Sequence, residues 1–146
     1  MTVSIPKACG IVSNVASDHS TITHLFVYGT LRPGDVRWHF LSPFVVDDGW
    51  PDTVRGAVYD TGLEYPAARF GGPEVAETDT VHGHTFALLE STLDRCLDVL
   101  DEEEDTVGGM YRRVPVTTGR GTRAWAYEYG TGLTLTRIAS GDWFTR

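Results

Sequence analysis

Basic charge is scarce in this chain. Lysine occurs once, at Lys7, and no cluster of Lys or Arg appears beyond Arg112-Arg113, while Asp and Glu outnumber Lys and Arg by 20 to 12. A formal net charge of -8 excludes a phosphate-backbone binder, because such binding needs a basic patch, so no nucleic-acid partner is expected. Cysteine is nearly absent. Cys9 and Cys96 stand far apart in unlike surroundings, which excludes a disulfide framework or a cysteine zinc site and leaves Cys96 as a small core residue. No apolar run approaches the length needed to cross a bilayer, and the first residues lack the charged-then-apolar order of a secretory leader. The expectation is a cytoplasmic protein with no membrane partner. Internal repeats, linkers and a second domain are also missing.

What remains is an ordinary globular composition. With 146 residues, 41% of them hydrophobic and 22% charged, the chain fits one domain able to bury a core without disulfides or a structural metal. Residues 1–23 lack sustained periodicity and read as a tail or peripheral segment. The domain proper is expected over residues 24–146.

Its first segment, LFVYGTLRPG at residues 25–34, is the most informative. Leu25, Phe26, Val27 and Tyr28 suit a strand buried on both faces. Gly29 ends that run abruptly. Glycine opens backbone angles closed to other residues and lets a ligand approach the main chain, and free N–H groups at such a break can hold negative charge. A plain strand-to-loop turn would look the same.

Further along, Asp35 is placed to cap a short helix carrying Val36, Trp38, Phe40 and Leu41. Residues 54–60, VRGAVYD, read as one strand with a bulge at Gly56. Tyr65-Pro66-Ala67-Ala68 reads as a short edge segment, and VHGHTFALL at 81–89 as a long strand. Ser91, with Asp94 three residues later, is a capping-box variant opening a helix whose apolar face is Leu93, Cys96, Leu97 and Leu100. Two strands, at 111–118 and 122–129, flank a hairpin turn at Gly119-Arg120-Gly121. On the second of them Trp125, Tyr127 and Tyr129 share a face.

The helix runs into five acids, Asp101, Glu102, Glu103, Glu104 and Asp105, at the end where the macrodipole favours cations. At about 100° per residue, one more turn puts Glu104 near the middle of the apolar stripe, Glu102 almost opposite, and Asp101 and Glu103 on its flanks. If the helix stops earlier, the whole run is a solvated cap. An inward carboxylate must be paired, hydrogen-bonded or neutralised. Desolvation that raises its proton affinity also makes it a general base.

Four motifs, Tyr28-Gly29-Thr30-Leu31, Leu100-Asp101-x-x-Glu104, Met110-Tyr111-Arg112-Arg113 and Ile138-x-Ser140-Gly141-Asp142-Trp143, occur in order over roughly residues 25–143. Together they resemble the gamma-glutamylcyclotransferase-like (AIG2-like) family, and Gly56-x-x-Tyr59-Asp60, Tyr65-Pro66-Ala67 and Val81-x-Gly83 agree. The resemblance implies an α+β fold, a small mixed β-barrel with a few flanking helices and a substrate cavity at its mouth. It implies that Tyr28, Gly29, Thr30 and Leu31 hold the glutamyl group through main-chain amides, that Glu104 is the acid/base, and that Tyr111 lines the cavity. The activity implied is metal-independent and of acyltransferase or lyase type. A small γ-glutamyl amine or peptide, the expected partner, cyclises to 5-oxoproline and releases an amine, with no cofactor. Asp105 departs from the family pattern, where Gly commonly follows the glutamate.

Other candidates carry less. His82 and His84 share a strand face suited to a metal, but no third ligand stands at a matching spacing. Ser140 lacks a nucleophile-elbow pattern. Arg112 and Arg113 are read as partners for the acidic run. A non-catalytic binder on the same fold is the alternative to an enzyme. A third reading, an interaction module with no ligand, requires the 28–31 amides to be occupied by backbone partners.

Overall fold

The structure, a computed structural model, describes residues 21–62, 65–72, 75–106, 111–129 and 135–146, with the side chains of Asp105 and Thr106 excepted. Lys7, Cys9 and Met110, like the 1–20 segment, lie outside the described residues.

The apolar run after Thr23 forms β1 (His24–Val27). It sits at the centre of a five-stranded mixed sheet in the order β2-β5-β1-β7-β6. Its antiparallel neighbour is β5 (Thr80–Ala87) and its parallel neighbour is β7 (Arg123–Tyr129). The outer strands are β2 (Trp50–Arg55) and β6 (Tyr111–Thr117). Alternation along β1 sorts the core into two halves. Leu25 and Val27 pack with Leu41, Phe86, Cys96 and Leu100, while Phe26 and Tyr28 pack with Val58, Val81, Ala126 and Trp143.

Residues 54–60 are not one bulged strand. β2 ends at Arg55 and β3 (Ala57–Asp60) begins a second sheet, ordered β4-β3-β8, with β4 (Pro66–Arg69) and β8 (Thr136–Arg137) at its edges. Gly56 makes the corner. A Cβ there would stand 2.7 Å from the Arg69 carbonyl oxygen and 2.9 Å from the Phe70 ring, so the close packing of two sheets, not a bulge, requires the glycine. The fold is α+β with a mixed sheet, as the sequence indicated. The barrel wall is two hydrogen-bonded sheets rather than one closed ladder. Glu128 ties them, accepting from the Phe70 main-chain N–H at 3.1 Å and pairing with Arg112 at 2.9 Å.

Both helix starts differ from the sequence reading. The short α1 (Trp38–Leu41) has no side-chain cap, because the Asp35 carboxylate pairs instead with Arg32 at 3.2 Å. The long α2 (Leu93–Thr106) follows a 3₁₀ turn, Glu90–Thr92, that also lacks a side-chain cap. Its far end runs through the acids, so Leu93, Cys96, Leu100 and Glu104 are all buried on one face. Burial pushes the Cys96 thiol up to about 11, consistent with an inert core residue. Among the described residues no helix is long and apolar enough to cross a membrane.

A second buried acid serves the fold. Asp52 on β2 accepts from the Thr85 hydroxyl at 2.9 Å and from the main-chain N–H groups of Thr53 and Arg120 at 2.8 and 3.2 Å. Burial alone would raise its pKa, but these bonds and one from the Thr118 hydroxyl outweigh it and hold the group below the ordinary aspartate value. A depressed native pKa contributes stability that is complete above the unfolded value and is lost as pH falls through the native one. Asp52→Asn is therefore expected to cost about 1–3 kcal/mol near neutrality and to flatten the loss of stability below about pH 4. Thermal midpoints of both proteins from about pH 2.5 to about pH 7, the span of carboxylate titration, check this.

Candidate active site

β1 delivers the chain to residues 28–31, where the ladder stops. Among the described residues, the main-chain N–H groups of Gly29, Thr30 and Leu31 find no acceptor. The backbone angle of Gly29 is not of the left-handed kind. Its missing side chain matters for space: a Cβ would stand 3.2 Å from the Pro66 ring. The Tyr28 hydroxyl donates to the Tyr127 carbonyl at 2.6 Å and fixes the start of the loop.

Past the loop the chain doubles back. The Arg37 N–H donates to the Thr30 carbonyl at 3.3 Å, and the Arg32–Asp35 pair braces the turn between them. This places the Arg37 side chain over the end of α2. Its Nη2 donates to Glu104 Oε2 at 2.6 Å, and its Nε lies 3.6 Å from Glu103 Oε2.

Glu104 has only 9% of its surface exposed. Burial raises its pKa, and Arg37 opposes the shift without cancelling it. Two of the neighbouring acids, Asp101 and Glu103, are also engaged. Asp101 accepts from Arg113 at 3.0 and 3.1 Å and from the Tyr127 hydroxyl at 2.5 Å, and Arg113 lies over the Trp125 ring. Arg113 thus pairs with the acidic run as the sequence suggested, whereas Arg112 turns to Glu128. The Tyr111 hydroxyl donates to the Pro66 carbonyl at 2.6 Å, joining β6 to β4 across the site. Burial, reinforced by the Glu104 charge, raises the pKa of Tyr111, and burial with the Asp101 hydrogen bond raises that of Tyr127, so both hydroxyls stay protonated donors.

These groups surround one cavity whose non-atom space, open solvent at its mouth included, is about 470 Å³. Tyr28, Gly29, Thr30, Leu31, Glu104 and Tyr111 all line it. The structure therefore brings together every site residue expected from the sequence. It adds Arg37, Tyr65, Pro66 and Tyr127 to the walls. Arg37 was not anticipated: it is 67 residues from Glu104 in the chain, and the only available signal was that an inward acid demands a cation. Amides with no acceptor among the described residues, beside a concavity, are the reverse of what a ligand-free interaction module requires.

His82 and His84 line a separate polar groove with Asp52, Arg32 and Arg120. Among the described residues no group of three or more His, Cys, Asp or Glu could hold a metal ion. The aromatic face of β7 is core, although Tyr127 also reaches the cavity.

Residues 25–145 match the family model described as gamma-glutamyl cyclotransferase, AIG2-like. A Vibrio cholerae serotype O1 protein named "Putative gamma-glutamylcyclotransferase" is 35% identical over 123 residues, which are 84% of this chain and 96% of that protein. Among solved structures, an uncharacterised protein of Pyrococcus horikoshii superposes with a TM-score of 0.59 at 24% identity, over 86% of this chain and 92% of its own. YkqA of Bacillus subtilis superposes with a TM-score of 0.61 at 24% identity, over 84% of this chain but 40% of its own. The two structures share the fold.

Proposed function

The chain belongs to the gamma-glutamyl cyclotransferase, AIG2-like family, and from that premise we propose that it cyclises a small γ-glutamyl amine or peptide to 5-oxoproline, with Glu104 as acid/base. The observation that carries the reading is a single cavity lined by the buried Glu104 and by Gly29, Thr30 and Leu31, residues whose main-chain N–H groups have no acceptor among the described residues.

The chemistry balances within the substrate. The α-ammonium gives a proton to the Glu104 carboxylate, and the free amine attacks the γ-carbonyl carbon, forming the C–N bond of a five-membered ring. The carbonyl oxygen takes the negative charge and lies against the 28–31 amides. On collapse the bond to the original amine breaks as Glu104 returns the proton to that leaving group, and the carboxylate so regenerated takes the surplus proton of the ring nitrogen and passes it to the released amine, which departs as an ammonium. Holding amine and carbonyl in contact is the larger part of the task, since ring closure needs no second reactant. Tyr111, fixed by its bond to Pro66, forms a wall against which the glutamyl chain folds.

Incubation of the protein with a panel of γ-glutamyl amines and peptides, with 5-oxoproline followed by mass spectrometry, tests the assignment. Release from at least one member is expected; a silent panel would leave a non-catalytic binder of the same fold. The raised pKa of Glu104 sets a second expectation. Below that pKa the group is protonated and accepts nothing, so kcat/KM falls about tenfold per pH unit on the acid side. The midpoint of that limb lies above the ordinary glutamate value of about 4.3. A pH profile with its acid limb at or below that value contradicts the assignment.

A further inference from the structure

The Arg37–Glu104 pair puts a cation beside the proposed base, which is awkward for binding an ammonium group. A guanidinium has five donors in a fixed fork. In Arg37, Nη2 is hydrogen-bonded to Glu104, while Nε is buried and makes no hydrogen bond, the Glu103 oxygen at 3.6 Å being too distant. The side chain lines the same cavity as the 28–31 loop. An under-used donor fork on a half-buried cation, opening on a cavity, fits a planar anion.

A ligand bringing only an ammonium group would meet Arg37 at ion-pair distance from the same carboxylate and be repelled. A ligand bringing an ammonium and a carboxylate on one carbon exchanges partners without leaving any charge unpaired: the ammonium takes Glu104, and the carboxylate takes Arg37. Pairing every charge is what makes burial of such a head tolerable.

We propose that Arg37 is a specificity-determining residue that binds the free α-carboxylate of the γ-glutamyl head. The site then accepts γ-glutamyl compounds with an unblocked α-carboxylate. It rejects the same ring-closing skeleton when that group is an amide, as in an α-carboxamide or a peptide with glutamine at its N-terminus. The assignment rests on the proposed cyclotransferase reading for the class of ligand, but its test does not require turnover.

The probes are 5-oxoproline and 5-oxoprolinamide, which differ only in carboxylate against carboxamide and do not react. By calorimetry, the wild-type protein is expected to prefer the acid by on the order of 10- to 100-fold, the worth of a charge-assisted hydrogen bond. Arg37→Gln brings the two within about threefold, and Arg37→Lys, which keeps the charge but loses the fork, falls between. The lysine variant decides the matter if the glutamine variant does not fold. The same ratio is then read in kcat/KM with γ-glutamyl methylamide and its α-carboxamide. Equal binding of both probes by the wild type, or a preference that persists undiminished in the Arg37 variants, overturns the assignment. If the preference follows Arg37 but no 5-oxoproline forms, the carboxylate site stands and cyclisation falls. If 5-oxoproline forms with an acid-to-amide ratio indifferent to residue 37, cyclisation stands and the role of Arg37 falls.

Discussion

Glu104→Gln is expected to lower kcat by roughly 10²- to 10⁴-fold, the contribution of a positioned general acid/base, with KM changed no more than a few-fold. Glutamine has nearly the same shape and its amide oxygen can still face Arg37 Nη2, but it cannot take or return a proton. Binding contacts survive and proton transfer does not. The substitution should leave stability close to wild type, because the carboxylate is held in the protein against a desolvation penalty that the neutral amide does not incur, and Glu103 remains beside Arg37 at 3.6 Å. Steady-state kinetics by 5-oxoproline release, with a thermal melt, separates the two quantities. A kcat within a few-fold of wild type would remove Glu104 from the reaction. Loss of turnover accompanied by a large fall in the melting midpoint would instead mark it as structural.

A large stability effect is expected at Gly83. It lies in β5, opposite Asp52 of β2 and next to His84, which pairs with Val27 of β1. A Cβ at this position would collide with the Val27 carbonyl oxygen and stand 2.8 Å from the tip of the fully buried Phe26 ring. Backbone cannot yield as a flexible side-chain end does, so Gly83→Ala must push β1 and β5 apart. The cost should reach about 3 kcal/mol or more, at the upper end of overpacking, and lower the melting midpoint by roughly 10 °C. Because Val27 directly precedes the 28–31 loop, the protein that does fold should also turn over more slowly. Gly71→Ala is the matched control: nothing lies within 4 Å of its added Cβ, and a change within about 0.5 kcal/mol is expected. Urea unfolding of the two variants compares them directly.

Legibility in the sequence followed the range of the interactions. The run at 25–28 announced a strand buried on both sides, and helical periodicity carried past Leu100 placed Glu104 inward, because both signals are local and repeat along the chain. The hairpin was equally local: Gly121 adopts a φ of +87° in the turn joining β6 to β7. What failed depended on partners distant in the chain. Asp35 had an ordinary capping position, yet Arg32 claimed its carboxylate. A bulge and a corner look alike around one glycine, and only the Arg69 and Phe70 backbone and ring across Gly56 distinguish them. Arg112 and Arg113 are adjacent, but alternation on a strand sends neighbours to opposite faces, so one met Asp101 and the other Glu128. Arg37 is the clearest case. Nothing in its surroundings marks it, since its meaning comes from a turn that brings it to a helix end 67 residues away.

The most direct measurement is a crystal structure of the Glu104→Gln protein soaked with γ-glutamyl methylamide. The account predicts the ligand in the cavity beneath Arg37, its α-amine within hydrogen-bond reach of the residue 104 side chain and its γ-carbonyl oxygen on the 28–31 amides, with amine and carbonyl carbon in near contact. A ligand bound extended, or with its amine far from residue 104 and those amides still without a partner, would contradict it.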